Sequence, residues 1–149
     1  MKVYTTNGKV LKNSANDKWL QKKQAKYILT SSMAGITSDT FAIFEGPNYP
    51  NAFNGDGLKC KVIISSDLIG CDSLKLTYEK NTYSTPPSGP TAFTINGNGT
   101  IAAGTYNVTL ANVDTRVFSY GKGLALQVSG SNIDLRNDLS KIEIVIFLD

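Results

Sequence analysis

In Leu74-Lys75-Leu76-Thr77-Tyr78-Glu79 apolar and polar side chains alternate residue by residue, a period of two that suits a half-buried strand and no helix. Tyr106-Asn107-Val108-Thr109-Leu110 repeats the arrangement with a high density of β-branched and aromatic residues. Similar runs occur at Tyr27 to Thr30, Thr40 to Glu45, Lys59 to Ser65, Thr91 to Ile95, Arg116 to Tyr120, Leu124 to Val128 and Lys141 to Leu148. Turn-forming clusters such as Asn96-Gly97-Asn98-Gly99, Gly121-Lys122-Gly123 and Ser129-Gly130-Ser131-Asn132 separate many of them. Many short strands with turns between them predict an all-β chain built as a single jelly-roll-like β-sandwich over residues 27–149, preceded by a basic arm over residues 1–26.

In Lys141 to Leu148, Ile142, Ile144, Ile146 and Leu148 form one apolar face while Val145 and Phe147 make the other apolar at its end. A strand covered on both sides belongs in the middle of a sheet or in a subunit contact, and the sheet middle ranks first. The one stretch that could form a helix of more than two turns is Ala15 to Ala25. Its apolar residues, Trp19 and Leu20, do not recur at helical spacing, so a short helix and an extended arm are equally compatible with it.

A chain of 149 residues is long enough to bury a core without a metal or disulfide, and an apolar fraction of 41% with 18% charged residues places it among globular proteins. No run approaches the roughly 18 apolar residues of a membrane-spanning helix, so a soluble protein is expected. The opening Met1-Lys2-Val3-Tyr4-Thr5-Thr6-Asn7-Gly8 lacks the apolar segment of an export signal, so synthesis in the cytoplasm without export is expected. Cys60 and Cys71 are then expected as reduced, buried small hydrophobes, with a bridge sterically conceivable if their strands are neighbours.

Charge divides the chain. Residues 1–26 carry seven lysines and one aspartate, whereas residues 27–149 carry eight basic and eleven acidic side chains. Three readings of the basic segment compete. A docking arm ranks first, with Trp19 and Leu20 as apolar anchors and Lys9, Lys12, Lys18, Lys22 and Lys23 as steering charges toward an acidic protein surface or a neighbouring subunit. A solvated tail ranks second, because it gains nothing from Trp19. Nucleic acid ranks last: the lysines are dispersed and no arginine joins them.

The chain contains no histidine, which excludes the usual serine or cysteine triads, imidazole-based metal sites and the commonest general base near neutral pH. A glycosidase carboxylate pair is the remaining catalytic design: Glu45, Glu79, Glu143 and nine aspartates are available, many at turn or outward strand positions. Glu79 and Glu143 alternate with apolar neighbours and are expected to face solvent, and Glu45 with Asp56 is the pair to test. Asp56 lacks the spaced acidic ligands of a calcium loop, and no phosphate-binding loop is present. The chain is therefore expected to be no enzyme, with no metal and no cofactor.

Two long connections need a reason. Phe44 to Gly57 combines aromatic rings, amides and a carboxylate with two prolines, and Lys80 to Pro90 has three prolines and Tyr83. In the reading ranked first, Tyr49 and Phe53 plug the end of the scaffold and the prolines limit loop entropy. In the other, Tyr49, Phe53 and Tyr83 stack on sugar rings while Asn51, Asn54 and Asp56 bond hydroxyls.

The opening Val3-Tyr4-Thr5-Thr6-Asn7-Gly8-Lys9-Val10-Leu11 and Asn16-Asp17-Lys18-Trp19-Leu20, followed by one β-domain rich in glycine, asparagine and threonine, resembles small bacteriophage virion proteins of the tail, baseplate or head-fibre type. The closing half is similar to carbohydrate-binding modules of jelly-roll type: Gly104-Thr105-Tyr106-Asn107-Val108-Thr109-Leu110 precedes Gly123-Leu124-Ala125-Leu126-Gln127-Val128 and the final Lys141-Ile142-Glu143-Ile144-Val145-Ile146. The first resemblance implies a structural or adhesive virion component that docks through its arm, contacts other virion proteins and forms a homo-oligomer, often a trimer, with Val145 and Phe147 suited to subunit packing. The second implies a monomeric sugar-binding module for a cell-surface glycan. Neither implies membrane insertion.

Overall fold

A computed structural model describes residues 26–45, 57–79, 86–112 and 123–147, together with the backbone of two short strands, β1 (Val3–Tyr4) and β2 (Val10–Lys12). The chain is all-β. The remaining strands are β3 (Lys26–Leu29), β4 (Ala34–Ile36), β5 (Phe41–Glu45), β6 (Lys59–Ile64), β7 (Leu68–Ile69), β8 (Cys71–Tyr78), β9 (Thr91–Asn96), β10 (Thr100–Ile101), β11 (Gly104–Thr109), β12 (Gly123–Gly130) and β13 (Ile142–Phe147), with one short helix, α1 (Leu135–Asp138). Eight of the sequence-expected strands are therefore present to within a few residues at each end. The stretches Ala15 to Ala25 and Arg116 to Tyr120 lie outside the described residues.

Two antiparallel sheets carry most of the structure. One has four strands in the order β11-β6-β13-β3, the other five in the order β4-β5-β12-β8-β9. Pairing across the chain is nested: β8 pairs with β9, β6 with β11, β5 with β12 and β3 with β13, so each pair is enclosed in sequence by the one named after it. Two further pairings, β13 with β6 and β12 with β8, knit the nested pairs into sheets.

Alternation explains which side chains meet. Leu74, Leu76 and Tyr78 of β8 and Leu124, Leu126 and Val128 of β12 point to the same side as Ala42 and Phe44 of β5, and all are buried. In the four-stranded sheet Cys60, Val62 and Ile64 of β6 line up with Ile142, Ile144 and Ile146 of β13 and Leu29 of β3. These inward residues of both sheets belong to one hydrophobic cluster. Each fully buried leucine or isoleucine contributes about 2 kcal/mol by leaving water. β13 lies between β6 and β3, in the middle of its sheet; on its outward side Val145 is buried and Phe147 half-buried, with the Lys61 Nζ 5.9 Å from the Phe147 ring centroid.

Cys60 and Cys71 are free and buried. Burial pushes the Cys60 thiol up to about 12, so it stays protonated and unreactive at neutral pH.

At one end of the strands, compact connections over 30–40, 65–70, 97–103 and 131–141 close the structure. Asp67 Oδ1 accepts the Ala103 N–H at 2.8 Å, Asp72 Oδ1 accepts the Gly99 N–H at 3.1 Å, and Asp134 caps α1 by accepting the Arg136 N–H at 2.9 Å. Gly130 ends β12 against the Gly70 carbonyl, with φ at +152°, and a Cβ there would sit 1.8 Å from that oxygen. Relief would require moving backbone that also accepts the Ser131 N–H at 2.9 Å. Gly130→Ala is therefore expected to lower the unfolding free energy by on the order of 3 kcal/mol, read as a shift of the urea midpoint.

Candidate functional site: the loop end

The opposite end of the strands is built differently. Glu45 at the end of β5 pairs with Gly123 at the start of β12, and Leu124 pairs with Tyr78 at the end of β8. The Glu79 N–H then donates to the Gly123 carbonyl at 2.8 Å, so the three chain segments stand side by side. With strands about 4.8 Å apart, the roots of the connections 46–56 and 80–85 lie roughly 10 Å from each other across β12. The connection 113–122 runs into β12 itself.

Chain entry is at the same end. Lys26 begins β3 opposite Phe147, and the Tyr27 hydroxyl donates to the Glu45 carbonyl, tying the four-stranded sheet to the five-stranded one. Lys26, Lys59 and Lys61 are exposed here on the outward face of the four-stranded sheet, around Phe147. Leu110 N–H donates to the Leu58 carbonyl and Ala111 N–H to the Ala92 carbonyl, both at 2.8 Å, while Asn112 Nδ2 donates to the Thr91 carbonyl at 3.0 Å. Asn112 takes a left-handed backbone conformation with φ at +54°, which asparagine tolerates better than most side chains.

One sequence expectation is overturned at this end: Glu79 does not face solvent. It is 3% exposed, and its Oε1 accepts the Thr77 hydroxyl and the Gly89 N–H, each at 3.1 Å. The alternation ends here because the chain turns over. Residues 86–90 lie back on the outward face of the five-stranded sheet, where Pro87 is buried and its carbonyl accepts Gln127 Nε2 at 2.8 Å, and the Tyr78 N–H donates to the Pro90 carbonyl at 2.9 Å. Thr77 and Ala125, both on that outward face, are buried as a result. Gly89 is required for this approach: a Cβ on it would meet the Tyr78 carbonyl oxygen at 1.7 Å. Three prolines therefore form part of a strap over the sheet. Glu143, the other glutamate expected to face solvent, is half-exposed.

The remaining site expectations fall as follows. Tyr49, Asn51, Phe53, Asn54, Asp56 and Tyr83 lie outside the described residues, as do Lys9, Lys18, Trp19, Leu20, Lys22 and Lys23; Lys12 lies in β2, its side chain outside the description. What the fold does bring together is the pair of connections that carry the aromatic and amide candidates, rooted on the two strands that flank β12.

Sequence reasoning missed Glu79 and the strap. The available signal was Ser88-Gly89-Pro90, a glycine held between a polar residue and a proline ten positions after an acid that could accept its amide. Among the described residues no group of three or more histidine, cysteine, aspartate or glutamate side chains could hold a metal ion. No helix among them is long and apolar enough to cross a membrane.

No protein-family model matches the chain, and no curated protein or solved structure matches it significantly.

Glu79→Ala removes the acceptor for the Gly89 amide and the Thr77 hydroxyl at a buried position, an expected loss of roughly 2–3 kcal/mol in unfolding free energy. Hydrogen exchange at the Gly89 amide should accelerate in this variant, and Glu79→Gln, which retains an acceptor oxygen, should show the smaller effect on both measures.

Proposed function

We propose that the two sheets and their common core form one jelly-roll sandwich, and that the protein is a non-enzymatic structural or adhesive component of a phage particle. The nested pairing supports this reading: folding a long hairpin over itself leaves one end closed by short turns and the other carrying the longer connections, the winding used by many capsid and lectin domains. The observation that carries the functional part is the position of Lys26. The lysine-rich residues 1–26 join the body at the loop end, beside exposed Lys59 and Lys61, so the basic segment enters where the surface of the body is itself cationic.

That surface docks on an acidic partner in the virion or on a neighbouring subunit, with Trp19 and Leu20 as apolar anchors and the lysines steering the approach. Self-association into a homo-oligomer belongs to the same reading. Replacing Lys9, Lys12, Lys18, Lys22 and Lys23 with glutamate, or Trp19 with alanine, is expected to lower incorporation into purified particles at least tenfold by quantitative immunoblot. Unchanged incorporation of both variants would sink the docking arm.

A second reading is favoured by the roots of the connections 46–56 and 80–85 on either side of β12: a glycan-binding end with Tyr49, Phe53 and Tyr83 as stacking rings and Asn54 and Asp56 as hydroxyl partners. On a glycan array this predicts a defined sugar signal that disappears in Tyr49→Ala and Phe53→Ala. A blank array with the intact chain removes this reading and leaves the first in place.

A further inference from the structure

From Asn81 to Val113 the chain has no charged residue, although 27 of its 149 residues are charged. The fold gathers this stretch on one side, because β9 and β11 lie within it and, among the described residues, each forms the last strand of its sheet. The two edges end differently. The outer edge of β9 is occupied at its loop end by the Ala111 amide and the Asn112 side chain. β11 pairs only with β6, and among the described residues nothing hydrogen-bonds its other edge.

Exposed edges are normally blunted by lysine, proline, a bulge or very short length. β11 has none of these: Gly104–Thr109 is six residues long, free of charge and proline, and in unbroken register with β6. Its inward side chains, Tyr106 and Val108, pack against the core yet remain only partly buried, as expected where a sheet stops short of covering its own interior. Outward it presents Thr105, Asn107 and Thr109, all exposed.

We propose that the β11 edge is an interface between two copies of this chain, joined antiparallel about a twofold axis so that their four-stranded sheets become one eight-stranded sheet. A charged partner would gain nothing from a neutral wall. A second copy brings the same neutral strand, so no like charges meet, threonine and asparagine side chains face one another, and the open backbone groups of both edges are satisfied at once. The added strands also cover Tyr106 and Val108. The inference rests on the reading of a self-associating protein and names the strand responsible.

Light scattering of the full chain between micromolar and millimolar concentration should give twice the 16.1 kDa chain mass. Asn107→Glu suits the test, since within one chain position 107 is paired with Lys61 whereas across the twofold axis it brings two carboxylates together. The expected result is at least tenfold weaker dimerisation with unchanged far-UV circular dichroism, and restored dimers when Asn107→Glu and Asn107→Lys chains are mixed. Thr105→Glu provides an independent variant should Asn107→Glu misfold. A chain that is monomeric throughout overturns self-association altogether, including the case in which residues 113–122 of the same chain protect the β11 amides from exchange. A dimer, trimer or larger assembly indifferent to these substitutions overturns only the β11 edge.

Discussion

Hydrogen bonding of β12 along both of its edges is the constraint on which the rest of the architecture rests. With β5 on one side and β8 on the other, β12 sets the register of the five-stranded sheet, and its inward Leu124, Leu126 and Val128 fill the middle of the common core. The same strand fixes the loop end, because Gly123 is at once the partner of Glu45 and the acceptor for the Glu79 amide. A slip of one residue along β12 would turn Leu124, Leu126 and Val128 toward the strap and separate the roots of two connections together.

The strap shows how a polar group is made tolerable in such a place. Burying a carboxylate without partners is strongly unfavourable, but Glu79 enters with a hydroxyl and a backbone amide already aimed at one oxygen. Its neighbour Thr77 is buried because the same strap covers it, and Gln127, an otherwise outward amide, has its donor taken by the Pro87 carbonyl. The prolines help by restricting the strap before it docks, so less conformational freedom is lost on closing it.

Most of the strand scaffold was legible in the sequence, for a simple reason. Where one face of a strand is buried and the other wet, the side chains must alternate, and the residue types of Leu74 to Tyr78 follow that requirement throughout, as do those of Lys59 to Ile64 except at Ile63. Legibility failed where burial came from something other than the opposite sheet. Glu79 looked outward because its neighbours alternate, yet what covers it is a segment ten residues downstream, a contact no local pattern encodes. β4 and α1 escaped notice because three or four residues are too few to show a period, and α1 depends on the Asp134 cap rather than on its own composition. At the loop end the anchoring residues became visible only through register, since nothing in Glu45, Gly123 or Glu79 taken singly indicates that they adjoin.

The nested order also governs how the molecule is made. β3 is synthesised before every other strand of the two main sheets and β13 after them, yet β13 is the strand that fills the place between β3 and β6. Until β13 has been made, the edges of β3 and β6 that border that gap lack the strand that pairs with them. Leu29 and Val62 must therefore wait for Ile144, their common partner, until the last strand of the two sheets has been made.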